Sequence, residues 1–242
     1  MKFIKGLCSV VAISAIAALS QAGSAQAISF NITRGAAGPG GVTNQGAFSD
    51  FWNDPGTKTI DFNSGSAPTT GFAKFSFENA SISSVRADRW APAGANGEVN
   101  EGNYLAVFQG GSVTIQLESA LRYFGMNWGA ISSGNVFSFF KGNNLIKSFS
   151  TDDVNPVAPV RADQHGGEGN GYLHFYADAS DAFDRIVITQ TGGGGFETDN
   201  YSFNAGDPRD PRKVPEPTAV LGLMAAGGAL LLKRRTQAQV EE

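Results

Sequence analysis

Residues 136–149, VFSFFKGNNLIKSF, place two short apolar runs on either side of the polar sequence KGNN. Val, Ile and Phe are enriched in β-strands. Gly and Asn favour tight turns because they tolerate positive backbone φ angles. Two such runs joined by a short turn of this kind predict an antiparallel hairpin. The centre of the chain is therefore predicted to be β-structure.

The same pattern continues on both sides of this hairpin. Residues 112–118 (SVTIQLE) and 172–177 (YLHFYA) alternate with period two, which is typical of strands bounded by Gly, Asn, Asp and Ser. Roughly ten such strands predict one all-β domain at residues 28–206, a β-sandwich or jelly roll with Phe-rich faces between its sheets. Residues 35–56 and 88–103 lack the pattern and are expected to be long loops.

The N-terminal segment, residues 1–27, has the features of a secretory signal peptide. Lys2 and Lys5 precede an uncharged apolar run, and Ala25 and Ala27 form a small-residue cleavage site. The apolar run is shorter than the roughly 20 residues of a membrane span. We therefore expect cleavage and export across the inner membrane, with an uncleaved N-terminal anchor as the alternative.

Composition excludes several classes of protein. The net charge of the 242 residues is −4, which is not that of a basic nucleic-acid-binding protein, and the 18 Phe residues argue against disorder. Cys8 is the only cysteine, and it lies in the signal peptide. The exported protein is thus expected to contain no disulfide and no cysteine metal ligand.

Three features follow one another near the C-terminus. They are a proline-rich stalk at residues 207–217, an uncharged apolar run at residues 218–232, and the cations Lys233, Arg234 and Arg235. As a helix the apolar run would extend about 22 Å, whereas the hydrocarbon core is about 30 Å thick. We expect a short transmembrane helix with the cations on the cytoplasmic side and the β-domain outside. A buried helix of the β-domain is the alternative.

Pro215, Glu216 and Pro217, followed by that apolar run and the basic cluster, resemble the PEP-CTERM sorting signal of exported bacterial proteins. The resemblance covers residues 215–235, although the apolar run is short and residues 236–242 trail the cations. It implies processing by a membrane enzyme of the exosortase type. It also implies a protein anchored at, or released to, the cell surface or extracellular matrix and associated with exopolysaccharide.

A second resemblance lies within the β-domain. Residues 123–129 (YFGMNWG), the Phe-rich hairpin that follows, and residues 183–200 are similar in order to ectodomains that recur in PEP-CTERM proteins. That family has no assigned catalytic residues, so the resemblance implies none here.

The sequence offers little support for an enzyme. The exported chain has two histidines, and it contains neither a G-x-S-x-G nor an H-E-x-x-H motif. His165 lies among polar residues with Asp163 and Glu168, and we expect a solvated loop there rather than a metal site. His174 is expected on the polar side of a strand. The neighbouring Asp152 and Asp153 are expected in a turn after the hairpin, and we predict no enzymatic activity.

Calcium is the metal ion that the sequence favours most. Calcium takes six to eight oxygen ligands from carboxylates, amides and carbonyls. Asp61 and Asn63 near one strand end, and Asp199 and Asn200 on the last strand, are the candidate ligands. The alternative is that these carboxylates are exposed strand or turn residues.

The three tryptophans suggest a second kind of binding. Trp128 follows an alternating strand and is expected in the core, whereas Trp52 and Trp90 lie in loops beside charged residues. Loop aromatics near polar groups suit glycan contacts, and anchoring of the loops to the core is the alternative. Residues 28–206 contain 10 Lys and Arg against 17 Asp and Glu. The net charge of −7 disfavours acidic polysaccharides.

Two functions therefore follow from the sequence. The first is a non-enzymatic envelope or matrix protein, sorted to the surface, with a structural or interaction role beside exopolysaccharide. The second is a glycan-binding adhesin, assisted by calcium if the candidate ligands hold it. The expected partners are an exosortase-type enzyme, the membrane and exopolysaccharide, and not nucleic acid.

Overall fold

The computed structural model describes residues 28–79 and 83–210. The predicted signal peptide, the sorting segment, and the stalk beyond residue 210 lie outside the described residues. Within the described ranges, no helix has the length and apolar character that crossing a membrane requires.

The described residues form 13 strands and one helical turn, with short 3-10 turns between them. The strands are β1 Ile28–Thr33, β2 Lys58–Ile60, β3 Ala73–Glu78, β4 Ser83–Arg86, β5 Tyr104–Phe108, β6 Ser112–Leu121, β7 Tyr123–Ile131, β8 Asn135–Lys141, β9 Asn144–Ser150, β10 Val160–Arg161, β11 Gly169–Ala177, β12 Phe183–Gln190 and β13 Gly195–Asn204. The helical turn is α1, Thr151–Val154.

These strands form two antiparallel sheets. The larger sheet has eight strands in the order β1-β11-β7-β13-β5-β4, with β10 paired to β11 and β2 paired to β13. The smaller sheet has five strands in the order β3-β6-β12-β8-β9. Two antiparallel sheets with little helix confirm the prediction of an all-β sandwich.

The hairpin predicted from residues 136–149 is present as β8 and β9. Lys141 pairs with Asn144 across the turn, and Phe137 pairs with Phe149. The two aspartates predicted in a turn after the hairpin lie in α1. There Asp153 accepts a hydrogen bond from the backbone N–H of Ser150 (2.8 Å) and completes a capping box.

Aromatic side chains from both sheets form the core between them. Trp128, predicted to be in the core, is fully buried, and its ring lies 4.7 Å from that of Phe196 and 5.6 Å from that of Phe137. Phe137 of the smaller sheet also packs 4.9 Å from Phe175 of the larger sheet. Edge-to-face and tilted pairs of this kind stabilise a core beyond the apolar area that they bury.

The outer face of the larger sheet is covered as well, and loop segments cover it. Two covering segments, residues 34–57 and 88–103, lie over this face, and they coincide with the predicted long loops. Phe51 packs edge-on against Tyr123, and Asn127 donates a hydrogen bond to the backbone carbonyl of Ala93 (2.9 Å). The larger sheet is therefore largely buried on both faces.

Two predictions for the histidines need correction because of this covering. His174 points away from the intersheet core, as its alternation predicts, but it is fully buried rather than on an exposed polar surface. His165 is not in a solvated loop, since only 2% of the residue is exposed. Its ring contacts Asn170 Oδ1 and the carbonyl of Arg89, each at 3.1 Å.

Candidate functional site

An open cleft remains at the end of the larger sheet where β13 begins. Its volume is about 560 Å³, within the range of small-molecule binding sites. The floor is formed by Phe108, Ala130 and Glu197, and the walls and rim by Arg86, Asp88, Trp90, Ser132, Glu168, Gly194 and Gly195.

Strand register places Glu197 on the floor of this cleft. Phe196 points into the core, so the next residue on β13 points to the outer face. Glu197 pairs with Ala106 of β5 on one side and with Gly129 of β7 on the other. Only 5% of Glu197 is exposed, and its Oε2 has no hydrogen-bond partner among the described residues.

Burial is the largest cause and raises the pKa of Glu197 to about 8, although a hydrogen bond with its own backbone lowers it. The carboxylates of Glu168 and Asp88 also raise this pKa, and Arg86 lowers it by less. A carboxyl with this pKa carries its proton at neutral pH, and it then offers an O–H donor. The floor of the cleft therefore presents a neutral acid, while other carboxyl groups stand on the walls.

Asp88 fixes one wall of the cleft. Its Oδ1 accepts a hydrogen bond from the Tyr104 hydroxyl (2.7 Å) and another from the backbone N–H of Trp90 (2.9 Å). Burial, followed by the hydrogen bond to Asp88, raises the pKa of Tyr104. The bond from the Trp90 N–H closes an Asx turn that holds Trp90 at the cleft, and the bond from Tyr104 anchors this turn to β5.

Guanidinium groups pack against two aromatic rings of the cleft lining, Trp90 and Phe108. The Arg89 guanidinium lies 4.4 Å from the centre of the Trp90 ring, and the His165 ring is stacked at 5.9 Å. Arg86 lies 4.8 Å from the centre of the Phe108 ring. Stacked guanidinium groups hold both aromatic rings in place.

The two predicted glycan-contact residues have different positions. Trp90 lines the cleft. Trp52 lies in the first covering segment, where its backbone N–H donates to the carbonyl of Ser49 (3.1 Å) and its side chain is half-buried. Sequence reasoning missed Glu197, because alternation indicates which face a residue occupies but not that the face forms a cleft. The sequence pointed to Glu168 only as an alternative metal ligand with Asp163 and His165.

The candidate calcium ligands fall into two groups. Asp61 and Asn63 share a turn in which the Asn63 N–H donates to Asp61 Oδ1 (3.1 Å). The alternative prediction was that these carboxylates are exposed strand or turn residues. Asp61 is exposed, as that alternative states. Asp199 is only 1% exposed, so the alternative is wrong for Asp199.

Nitrogen donors already occupy the Asp199 carboxyl. Its Oδ2 accepts from Asn100 Nδ2 (2.9 Å) and its Oδ1 from the Asn200 backbone N–H (2.7 Å). Asn200 Nδ2 in turn donates to the carbonyls of Gln45 (2.7 Å) and Ala47 (3.1 Å). These bonds fasten both covering segments to the larger sheet. Calcium binding at Asp199 and Asn200 stays a prediction.

No group of three or more His, Cys, Asp or Glu side chains placed to hold a metal ion occurs in residues 28–79 and 83–210. The loop residues considered as an alternative metal site form no such group in these ranges; they are Asp163, His165 and Glu168. His165 is buried, whereas the other two residues are exposed.

A second polar cluster fastens the first covering segment. His174 Nε2 lies 3.1 Å from Asp50 Oδ2, and His174 Nδ1 lies 2.9 Å from the Tyr123 hydroxyl. Ser49 Oγ is 2.6 Å from that same hydroxyl. The Tyr123 hydroxyl thus stands between serine and histidine, and Thr33 Oγ1 lies 3.0 Å from His174 Nε2 and donates to Asp50 Oδ2 (2.7 Å). The hydrogen bond between Asp50 and His174 lowers the pKa of Asp50.

Comparisons with known proteins give little further guidance. No protein-family model and no curated protein matches the chain. One solved structure with some similarity is the enzymatically active domain of tailspike protein 4 of bacteriophage CBA120, at 13% identity and a TM-score of 0.27. The match covers 60% of this chain and 20% of that one. A similarity of this size supports no conclusion about fold or function.

Proposed function

We propose that the chain is an envelope protein that binds glycan in the cleft at the start of β13. The observation that carries the proposal is the position of Trp90. A loop tryptophan chosen from sequence as a glycan contact lines an open cleft beside Asp88, Glu168 and Glu197. Sugar-binding sites combine an apolar ring surface with a few placed polar groups.

The chemistry of the lining suits a polyhydroxy ligand. Phe108 and Trp90 supply apolar surface, and carboxyl groups on the floor and walls supply hydrogen-bond partners for hydroxyl groups. The backbone around the cleft is held by strand pairing on β5 and β13. A site on rigid strands costs a bound ligand little ordering entropy.

The expected location follows from the ends of the sequence. The signal peptide and the PEP-CTERM-like segment would place the β-domain outside the inner membrane, anchored at the surface or released after exosortase-type processing. A glycan-binding cleft there would face exopolysaccharide. In this proposal the protein contributes to the matrix by binding, without catalysis.

A glycan array probed with the full chain, purified as the cell processes it, tests the proposal. We expect specific signals for the wild-type protein, a loss of at least about tenfold in affinity for Trp90→Ala, and little change for Trp52→Ala. Circular dichroism shows whether each variant is folded. If Trp90→Ala disturbs the cleft wall, Trp90→Phe takes its place in the test, because it retains an aromatic ring at this position. Flat signals for the wild type would leave only a structural role in the envelope.

A further inference from the structure

We propose that the cleft selects an uncharged saccharide and that Glu197 contacts it as a protonated carboxyl, donating a hydrogen bond from Oε2. This inference rests on the proposed glycan binding, and it names the class of ligand and the residue that determines it. It is carried by the position of one buried carboxyl and by the charges around it.

The first step is the unsatisfied state of Glu197 Oε2. The side chain lies over Gly195, where a Cβ would overlap Glu197 Oε1, so the absence of a side chain at position 195 makes room for the carboxyl. The carboxyl is thereby held at the cleft floor, with Oε2 lacking a hydrogen-bond partner among the described residues. A buried polar atom without a partner is destabilising. Oε2 is enclosed in this structure, and a ligand in the cleft supplies its partner when the Glu197 side chain turns toward it.

The second step is the charge around Glu197. Asp88 and Glu168 face it from the end of β4 and the start of β11, and Arg86 faces it from β4. The Arg86 guanidinium lies over Phe108, and no ion pair joins it to Glu197 among the described residues. Burial beside two carboxylates favours the neutral form of Glu197.

Two further titratable groups near the cleft, Tyr104 and His165, leave the neutral form of Glu197 favoured. The Tyr104 hydroxyl donates to Asp88, and its pKa is raised. Burial lowers the pKa of His165, which stacks on Trp90. Between pH 6.5 and 9.5, the change expected in the cleft is therefore the loss of the Glu197 proton, whose pKa is about 8.

The third step concerns the ligand. A neutral carboxyl donates to a sugar hydroxyl or ring oxygen. A uronic acid would bring a carboxylate close to Asp88 and Glu168, which repel it. A cationic amino sugar would bind more tightly once Glu197 ionises, which is the opposite pH dependence. The sign of the pH effect therefore distinguishes the three ligand classes.

The experiment uses the full chain and an array of neutral, uronate-containing and amino-sugar oligosaccharides. The oligosaccharide that binds most tightly is then titrated calorimetrically at pH 6.5 and 9.5 against wild type, Glu197→Gln and Glu118→Gln. We expect a neutral oligosaccharide, and a loss of wild-type affinity of roughly tenfold for each pH unit above the pKa of Glu197. Glu197→Gln keeps an N–H donor at both pH values, so its affinity should not change. Glu118, an exposed carboxylate on β6 outside the cleft, is the matched control, and Glu118→Gln should follow the wild type.

The outcomes separate this inference from the proposed function. A neutral ligand bound equally by the wild type at both pH values, tightest binding of a uronate, or an amino sugar bound more tightly at pH 9.5 would each overturn the inference while glycan binding stands. Loss of all array signals would remove both. The wild-type titration needs no substitution, so it decides the question even if Glu197→Gln does not fold.

Discussion

Glu197 and Asp199 occupy successive outward positions on one strand, yet their surroundings differ. Burial is the largest cause of a raised pKa for both carboxyls. Asp199 accepts hydrogen bonds from Asn100 and from the Asn200 backbone, whereas Glu197 Oε2 accepts none from the described residues. One carboxyl therefore fastens the covering segments, whereas the other lines the cleft without such partners at Oε2.

The raised pKa of Glu197 leads to a prediction about the free energy of unfolding, which can be tested without a ligand. Its folded-state pKa, about 8, exceeds the ordinary glutamate value of 4.5, so the folded state retains a proton that the unfolded chain has lost. Wild-type stability is unaffected by this group below about pH 4.5, and it falls as pH rises towards 8. We expect the unfolding free energy of Glu197→Gln to match that of the wild type at pH 4 and to exceed it by up to about 5 kcal/mol at pH 9.

Denaturant unfolding at pH 4, 7 and 9 measures this difference. Glu118→Gln is the control, because Glu118 is an exposed carboxylate on β6 of the smaller sheet and lies outside the cleft. Equal stability of Glu197→Gln and wild type at pH 9 would show that Glu197 ionises freely in the folded protein.

At the scale of elements, close contact between the second covering segment and β7 depends on Gly129. A Cβ at this position would overlap Pro92 Cα and lie 2.8 Å from Asn170 Oδ1. We expect Gly129→Ala to lift residues 88–103 from the sheet and to cost about 1–3 kcal/mol in unfolding free energy. The released segment should also be cleaved faster by protease.

Gly193→Ala is the matched control, because a Cβ there would have no atom within 4 Å. Thermal unfolding and limited proteolysis followed by mass spectrometry test both variants. A Gly129→Ala protein with wild-type melting temperature and wild-type resistance in residues 88–103 would contradict the tight contact.

The sequence predicted the strands better than it predicted what lies on them. Alternation placed Phe175 in the core and His174 on the opposite face, and both placements are correct. Alternation cannot show that a loop covers that opposite face, because the covering arises from long-range contacts such as those of Phe51 and Asn127. Segments without periodicity were correctly expected to be loops, but their burial required the structure.

The candidate site was predicted in part for the same physical reason. Trp90 was identified because a loop tryptophan beside charged residues is conspicuous in a sequence. Glu197, Glu168 and Asp88 come from three separate places in the chain, and only strand order brings them to one cleft. A lone Glu on a strand gives no local indication that it will be buried with a neighbouring carboxylate.

For the whole molecule, the main prediction concerns how the β-domain is retained by the cell. The apolar run at residues 218–232 and its three cations are expected to hold the chain in the membrane. We therefore predict that a variant ending at residue 213 leaves the membrane fraction and is recovered outside the inner membrane. Removing residues 236–242 alone, which trail the cations, should change nothing. Fractionation with immunoblotting measures both variants.

Retention of the shortened variant in the same fraction as the full chain would count against the sorting segment, but the cleft offers a second route to retention. A domain that binds surface glycan stays with the cells even without its anchor, and Trp90→Ala should then release it. Combining the truncation with Trp90→Ala separates the two routes. If the doubly altered protein still sediments with the envelope, neither the sorting segment nor the cleft explains where this protein resides.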